Sequence, residues 1–305
     1  MDLIQKELLQ EVAGLHEIPA GAFHIRSNGK SVRRRTTEHI DIVTKEDGSG
    51  IDVIVKPGVK GESVHLPVII SQSGLREAVC NDFYIGRDAD VTIIAGCGIH
   101  NGGDASSQHD GVHRFFVEEH ARVRYIEKHY GSGDGTGERI MNPRTQIQLK
   151  EHAYMEMDTA QIRGVDHTER MTRAELAGKS TLVVTERLLT HGTQRAKSTF
   201  EVELNGGGAG VHIVSRAVAK EHSRQLFVSR VNGNAPCSGH TECDAILMDD
   251  AQVRAVPEIA ANCPEAALIH EAAIGKIAGE QIVKLMTLGL SEQEAEERII
   301  SGFLK

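Results

Sequence analysis

The chain has 305 residues, with 34 Lys and Arg against 43 Asp and Glu, a formal net charge of −9. On average it repels phosphate backbones and anionic lipid surfaces, which sets nucleic-acid and membrane binding aside. Five cysteines, an odd number in a chain of this size, argue against a disulfide framework and for a reducing cytoplasm in which thiols stay free to bind metal or carry sulfur.

Met1 to Leu9 mixes acidic and polar residues into its apolar pattern, so the start reads as neither an export signal nor a membrane span. Leu3, Ile4, Leu8, Leu9 and Val12 recur at helical spacing and stop at Gly14, which predicts an amphipathic docking helix over 2–13. The basic run Arg33, Arg34 and Arg35 reads as a solvated strand edge or loop. Trp is absent and aromatics are 4% of the chain, so aliphatic side chains must fill the core.

From Ile51 to Ile259 the pattern changes to short β-branched strands broken by Gly, Asp, Asn and His, as at 51–55, 91–94, 123–126, 181–184 and 211–214. Ile85-Gly-Arg-Asp-Ala-Asp-Val, Val117-Glu-Glu-His-Ala-Arg-Val and Leu149-Lys-Glu-His-Ala-Tyr-Met start 32 residues apart, and weaker echoes begin at Ala174 and Val202. One strand-turn-strand unit cannot cover its own apolar face, so a fixed period of this kind means stacked rungs. The pattern predicts a β-helix solenoid, with Ala89, Ala121, Ala153, Gly178 and Gly206 at the corners; a β-sandwich is the alternative. The glycine-rich run 131–137 lacks the context of a phosphate loop and reads as a flexible loop between rungs.

The strand pattern ends at Pro257. Ile282, Leu285 and Met286 mark one helix over 279–288, and Ser291-Glu-Gln-Glu294 is a capping box that opens a second. The expected organisation is an amino-terminal segment at 1–50, a β-helix core at 51–259 and a helical segment at 260–305.

The candidate chemistry lies mainly near the carboxyl end. Cys237, His240 and Cys243 carry donors suited to iron, zinc or copper. On a straight strand the two cysteines lie about 20 Å apart with His240 on the other face, so ligation needs a bend, which Pro236, Ser238 and Gly239 offer. Buried structural thiols are the competing reading. Cys263 sits at a turn, and His270 and Glu271 are adjacent, so one faces a site or solvent while the other faces inward. Cys97, in Gly96-Cys-Gly98 with His100 close behind, reads as a thiol left open by its glycines and able to accept or transfer sulfur. Cys80 reads as a core thiol.

Several of these stretches resemble the SufB/SufD family of iron–sulfur cluster assembly scaffolds. Glu242-Cys-Asp-Ala-Ile-Leu, Ile269-His-Glu-Ala-Ala-Ile-Gly-Lys-Ile, and Gly289-Leu-Ser-Glu-Gln-Glu-Ala with Gly302-Phe-Leu-Lys are similar to its carboxyl-terminal motifs. Ala95-Gly-Cys97 resembles its sulfur-accepting Glu-Gly-Cys, and Val117-Glu-Glu-His-Ala-Arg-Val-Arg-Tyr the rung that follows. The resemblance implies a right-handed parallel β-helix with a short amino-terminal helix and a terminal helical segment that docks a SufC-like ABC-type ATPase. It also implies a cysteine desulfurase as sulfur donor, pairing of two scaffolds, and a transient iron–sulfur cluster built at their interface.

Carried over residue by residue, Cys97 accepts sulfur and His270 and Glu271 lie at the assembly site. SufB has a further cysteine shortly after its Gln-Cys-Asp; this chain has Ala251 and Gln252 there, so Cys237, Cys243 or Cys263 is expected to substitute. A cytoplasmic, non-enzymatic homodimeric scaffold is the expectation. A metal-free SufD-like partner of the ATPase, or a β-helix enzyme acting on acidic polysaccharide, are the alternatives.

Overall fold

Alternation along single strands decides the architecture. In the strand Arg122–Ser132, Val123, Tyr125, Glu127 and His129 are buried while Arg122, Arg124 and Lys128 face solvent. The same alternation runs through Thr181–Thr190 and Arg195–Leu204. A strand with one apolar face needs a facing layer, and here the chain supplies it by passing between two sheets in every turn. The computed structural model describes residues 3–15 and 19–305. It is a parallel β-solenoid of about eight turns.

In the first sheet Lys60–Ile70, Asp90–His100, Arg122–Ser132, Tyr154–Arg163, Thr181–Thr190, Gly210–Ala219, Ser238–Leu247 and Ala267–Gly275 lie side by side in parallel. In the second, Arg76–Ile85 and Ser107–Val117 are followed by Arg139–Met141 and Arg144–Leu149, then by His167–Leu176, Arg195–Leu204, Arg224–Gly233 and Gln252–Ala261. The interruption between Met141 and Arg144 falls at Asn142-Pro143, because Pro143 has no N–H for the ladder. The core between the sheets is mostly aliphatic, with Phe83 and Phe115 stacked at 4.4 Å between ring centroids. Burying one such ring contributes roughly 2–3 kcal/mol.

Helix α1 (Leu3–Ala13) lies against the outer face of the first sheet, burying Leu8, Leu9 and Val12 with Ile69 and Tyr130. Residue 2, the expected start of this helix, lies outside the described residues. Arg33, Arg34 and Arg35 end the exposed strand Lys30–Arg35 at the sheet's outer edge, as the basic run suggests.

The repeat is real, but its later register differs from the one read by eye. Leu149 pairs with Leu176 and Leu176 with Leu204, so Ser180 and Ala209 succeed Ala89, Ala121 and Ala153 at the corner, not Gly178 and Gly206. The residue before each of the first four corners, Asp88, His120, His152 and Lys179, has a left-handed backbone with φ between 55° and 59°. Gly206 answers a different need: a Cβ there would lie 2.1 Å from the Gly178 nitrogen. Of the run 131–137, Gly131 and Ser132 still belong to the strand Arg122–Ser132, and 133–137 form the expected connection between strands. Its glycines allow it to stack on the preceding loop, since a Cβ on Gly135 would lie 2.2 Å from the Gly103 carbonyl oxygen.

The strands also run past the expected bounds of 51–259. Ala22–Ser27 already belongs to the first sheet, Pro257 sits within Gln252–Ala261, and His270 and Glu271 lie on the last strand, Ala267–Gly275. Helices α2 (Gly279–Met286) and α3 (Glu292–Phe303) follow. Ser291 and Glu294 form the expected capping box, and Ile300 and Leu304 seat α3 on Val218. On and after α2, Val283, Met286 and Leu288 stay exposed. No helix among the described residues is long and apolar enough to cross a membrane.

Candidate functional site

Cys97 points into the solenoid and is 2% exposed. Its flanking glycines do not open the thiol to solvent; they make room for α1. A Cβ on Gly96 would lie 2.8 Å from the Val12 carbonyl oxygen, and one on Gly98 would lie 3.1 Å from Leu8 Cδ2. Nor does His100 serve the thiol: it lies three residues on, and its Nδ1 is 3.1 Å from Ser132 Oγ. Burial, with Glu77 and Glu127 nearby, pushes the Cys97 thiol well above its usual range, so the resting form is the neutral thiol.

The imidazole beside Cys97 is His129, its register partner on the next strand. Cys97 and His129 share a void of about 20 Å³ with His109, His113 and Glu127, room for about one water-sized group. Burial, with the charges of His129 and His113, lowers His109 to about 3, so it is neutral, and its Nδ1 has no hydrogen-bond partner. Tyr125 donates to Glu127 Oε1 at 2.9 Å, which leaves its oxygen to accept from His113 Nδ1 at 2.6 Å. Burial opposes the charge on Glu127, yet Arg170, His129 and His113 hold its carboxyl well below the ordinary carboxylate range.

From this point a line of buried charged and hydroxyl groups runs along the interior. Arg170 lies 2.5 Å from Glu127 Oε2 and 3.6 Å from Glu186 Oε1. Ser198 and Ser215 donate to the two oxygens of Glu186 at 2.6 and 2.7 Å. Glu127, Thr159, Glu186, Ser215 and Cys243 occupy one register row on five successive strands of the first sheet. Two further voids of about 10 Å³ each follow the row, the first beside Arg170 and Glu186, the second beside Ser215 and Cys243. At about 4.8 Å per strand, Cys97 and Cys243 stand roughly 24 Å apart.

None of these interior residues except Cys97 and Cys243 stood out in the sequence. The signal was parity: Glu127 and His129 continue the inward series begun by Val123 and Tyr125, and Glu186 continues that of Leu182 and Val184.

At the carboxyl end the chain bends at Ala235 and Pro236, before Cys237, while Ser238 and Gly239 lie in the strand Ser238–Leu247, which is paired on both sides, so the expected turn between Cys237 and Cys243 is absent. Cys237 and Cys243 are both buried, while His240 lies on the opposite face from Cys243. Burial, Glu186 and Asp244 push the Cys243 thiol up to about 12. The Cys263 thiol donates to Glu265 Oε2 at 3.0 Å, and that carboxylate lifts it above its ordinary range. His240 Nε2 is 3.4 Å from Glu271 Oε2 and stacks edge-on to His212. Glu242, register partner of Glu271, is lifted above the ordinary carboxylate range by the neighbouring Asp244 carboxyl and by burial. His270 aligns instead with inward-facing Thr241, and burial lowers its basicity.

The structure therefore joins His240 to Glu271 and keeps Cys243 on the opposite face of the strand from His240. Among the described residues no three His, Cys, Asp or Glu side chains converge to hold a metal ion. Cys80 corrects another expectation: it is half-buried and lines an outer groove of the second sheet.

The family described as SUF system FeS cluster assembly, SufBD core domain, matches residues 80–303. The chain belongs to the SufBD family. An iron–sulfur cluster assembly SufBD family protein of Methanocaldococcus jannaschii is 26% identical over 85% of this chain and 82% of its own length. One from Archaeoglobus fulgidus is 28% identical over 90% and 73%, and one from Methanothermobacter thermautotrophicus 33% identical over 72% and 53%. The match to the SufBD core takes in the strand bearing Cys97, the whole interior row and both terminal helices.

Proposed function

We propose that this SufBD chain is a cytoplasmic, non-enzymatic scaffold on which a nascent iron–sulfur cluster is built. Cys97 accepts sulfur and Cys243 receives it at the far end of the interior row. The observation that carries this reading is the row itself. Buried charges and hydroxyls are expensive, and apolar residues of similar volume at Glu127, Arg170 and Glu186 would hold the solenoid together as well or better. Acceptance at Cys97 is a thiol–persulfide exchange: the Cys97 sulfur attacks the outer sulfur of a donor persulfide, one S–S bond forms as the donor's breaks, and the donor leaves as its thiol, with no net oxidation. Among the interior groups, His129 is the imidazole in register with Cys97.

The same reading assigns a second copy to the open end of the solenoid. Both last strands are edges, and Ile259, Ile269 and Ile274 are exposed there. Pairing of two copies would bring His240, Glu271, Cys237 and Cys263 near a second set of donors, and iron enters as cargo. Val283, Met286 and Leu288 offer an apolar strip to an ABC-type ATPase.

The test is anaerobic reconstitution of the full chain with iron and sulfide. Wild type should develop thiolate-to-iron absorption and Cys243→Ser should lose it. Equal absorption in both would end the assignment of Cys243. No absorption even in the wild type would favour the second reading, a metal-free SufD-like partner of the ATPase.

A further inference from the structure

On the outer face of the second sheet, two neighbouring rows of charge follow opposite rules. Arg173, Glu201, Arg230 and Glu258, on successive strands, alternate in sign and are all paired. Arg173 Nε lies 2.7 Å from Glu201 Oε2, Arg230 Nη1 2.8 Å from Glu201 Oε1 and Arg230 Nε 2.6 Å from Glu258 Oε2. Closer to the start of the same strands, Arg195 is the direct register partner of Arg224, and Lys197, Leu226 and Arg254 form the next outward row. Adjacent strands lie about 4.8 Å apart, and like charges placed directly opposite destabilise a sheet.

Arg195, Lys197, Arg224 and Arg254 are all exposed, and among the described residues none of their charged groups has an ion pair or side-chain hydrogen bond. They line one open groove of about 580 Å³ in which Glu169 is the sole carboxylate. In a chain of net charge −9, four unpaired cations gathered on one face form a site for a complementary anion.

We propose that this groove docks an extended acidic segment of a partner protein, an interaction separate from sulfur and iron handling. Leu226 and Leu247 lie among the cations, which suits a strand-like segment carrying both carboxylates and apolar side chains. Among the described residues no Phe, Tyr or Trp lines the groove to stack a base, and the negative chain as a whole repels a long polyanion, so nucleic acid is the poorer occupant.

The test measures binding of a fluorescein-labelled peptide of Glu, Leu and Ser to the full chain by anisotropy. Arg195→Glu/Arg224→Glu should weaken binding by at least ~10-fold, with added salt weakening the wild type likewise. The control Lys30→Glu/Arg33→Glu, the same change in charge on a distant edge strand, should bind like wild type. Arg224→Gln should weaken binding without lowering the melting temperature, because it removes a repulsion. Unchanged binding by the double variant, an equal loss in the control, tighter binding of a single-stranded oligonucleotide than of the peptide, or a lowered melting temperature in Arg224→Gln would each overturn the assignment.

Discussion

Ser215 and Cys243 face one another across neighbouring strands inside the solenoid, and Ser215 gives its hydroxyl proton to Glu186 at 2.7 Å. That contact makes Cys243 the last member of a polar row whose first charged member, Glu127, stands next to the Cys97 void. The row can be tested piece by piece.

Arg170 is the one cation between Glu127 and Glu186, and all three are buried. Arg170→Met leaves two buried carboxylates without the cation they share and should destabilise the fold by about 3–5 kcal/mol. Adding Glu127→Gln and Glu186→Gln should restore most of the loss. Urea denaturation of the single and triple variants measures both; a triple variant no better than the single one would contradict the charge-pairing account.

Alkylation at mild alkaline pH, mapped by mass spectrometry, should follow exposure. Cys263 and Cys80 are half-buried, whereas Cys97 and Cys243 are enclosed and their thiols pushed up. The first two should react readily, and Cys97 and Cys243 on the order of 100-fold more slowly until denaturant is added, because reaction requires local opening. Prompt labelling of Cys97 in the native protein would mean that a path from solvent is already open.

His109 is lowered to about 3 in the folded chain from an ordinary 6.5. Below pH 6.5 the unfolded chain takes up a proton at this position that the folded chain refuses, so its contribution to stability is complete above 6.5 and is lost as pH falls toward the folded value. By pH 4 the loss from His109 is on the order of 3 kcal/mol. His24, lowered to about 4 by burial and by Arg26 and Arg34, adds in the same direction. Stability against urea should therefore decline from pH 7 to pH 4, with a shallower slope in His109→Gln; an identical slope would remove His109 from the balance.

Gly96 admits helix α1 beside the Cys97 strand, and a Cβ there would also lie 2.7 Å from the Lys128 carbonyl oxygen. Gly96→Ala should cost about 1–3 kcal/mol through overpacking and should loosen α1, read as faster proteolysis within Leu3–Ala13. Cleavage at the wild-type rate would show that the helix seat tolerates the methyl group.

The repeat, the basic edge at Arg33 to Arg35 and the Ser291 capping box were legible in the residues, because a recurring turn, a run of charge and a helix cap are local properties of the chain. The later corners were misread because the turns shorten after Leu149, and only pairing reveals which residue stands beside which. The Cys237, His240 and Cys243 grouping failed for a related reason. Closeness in sequence suggested a shared site, whereas a strand paired on both sides is held straight and spreads its residues along its length.

The sequence by itself determined that a stack of rungs with free thiols would form, since alternation and a recurring turn leave apolar faces that only stacking can cover. Only the tertiary structure decided that Glu127, Arg170, Glu186 and Ser215 lie in line between Cys97 and Cys243. Residues roughly thirty positions apart become neighbours when each turn settles on the one before it, and that proximity comes from register, which no single stretch of the chain contains.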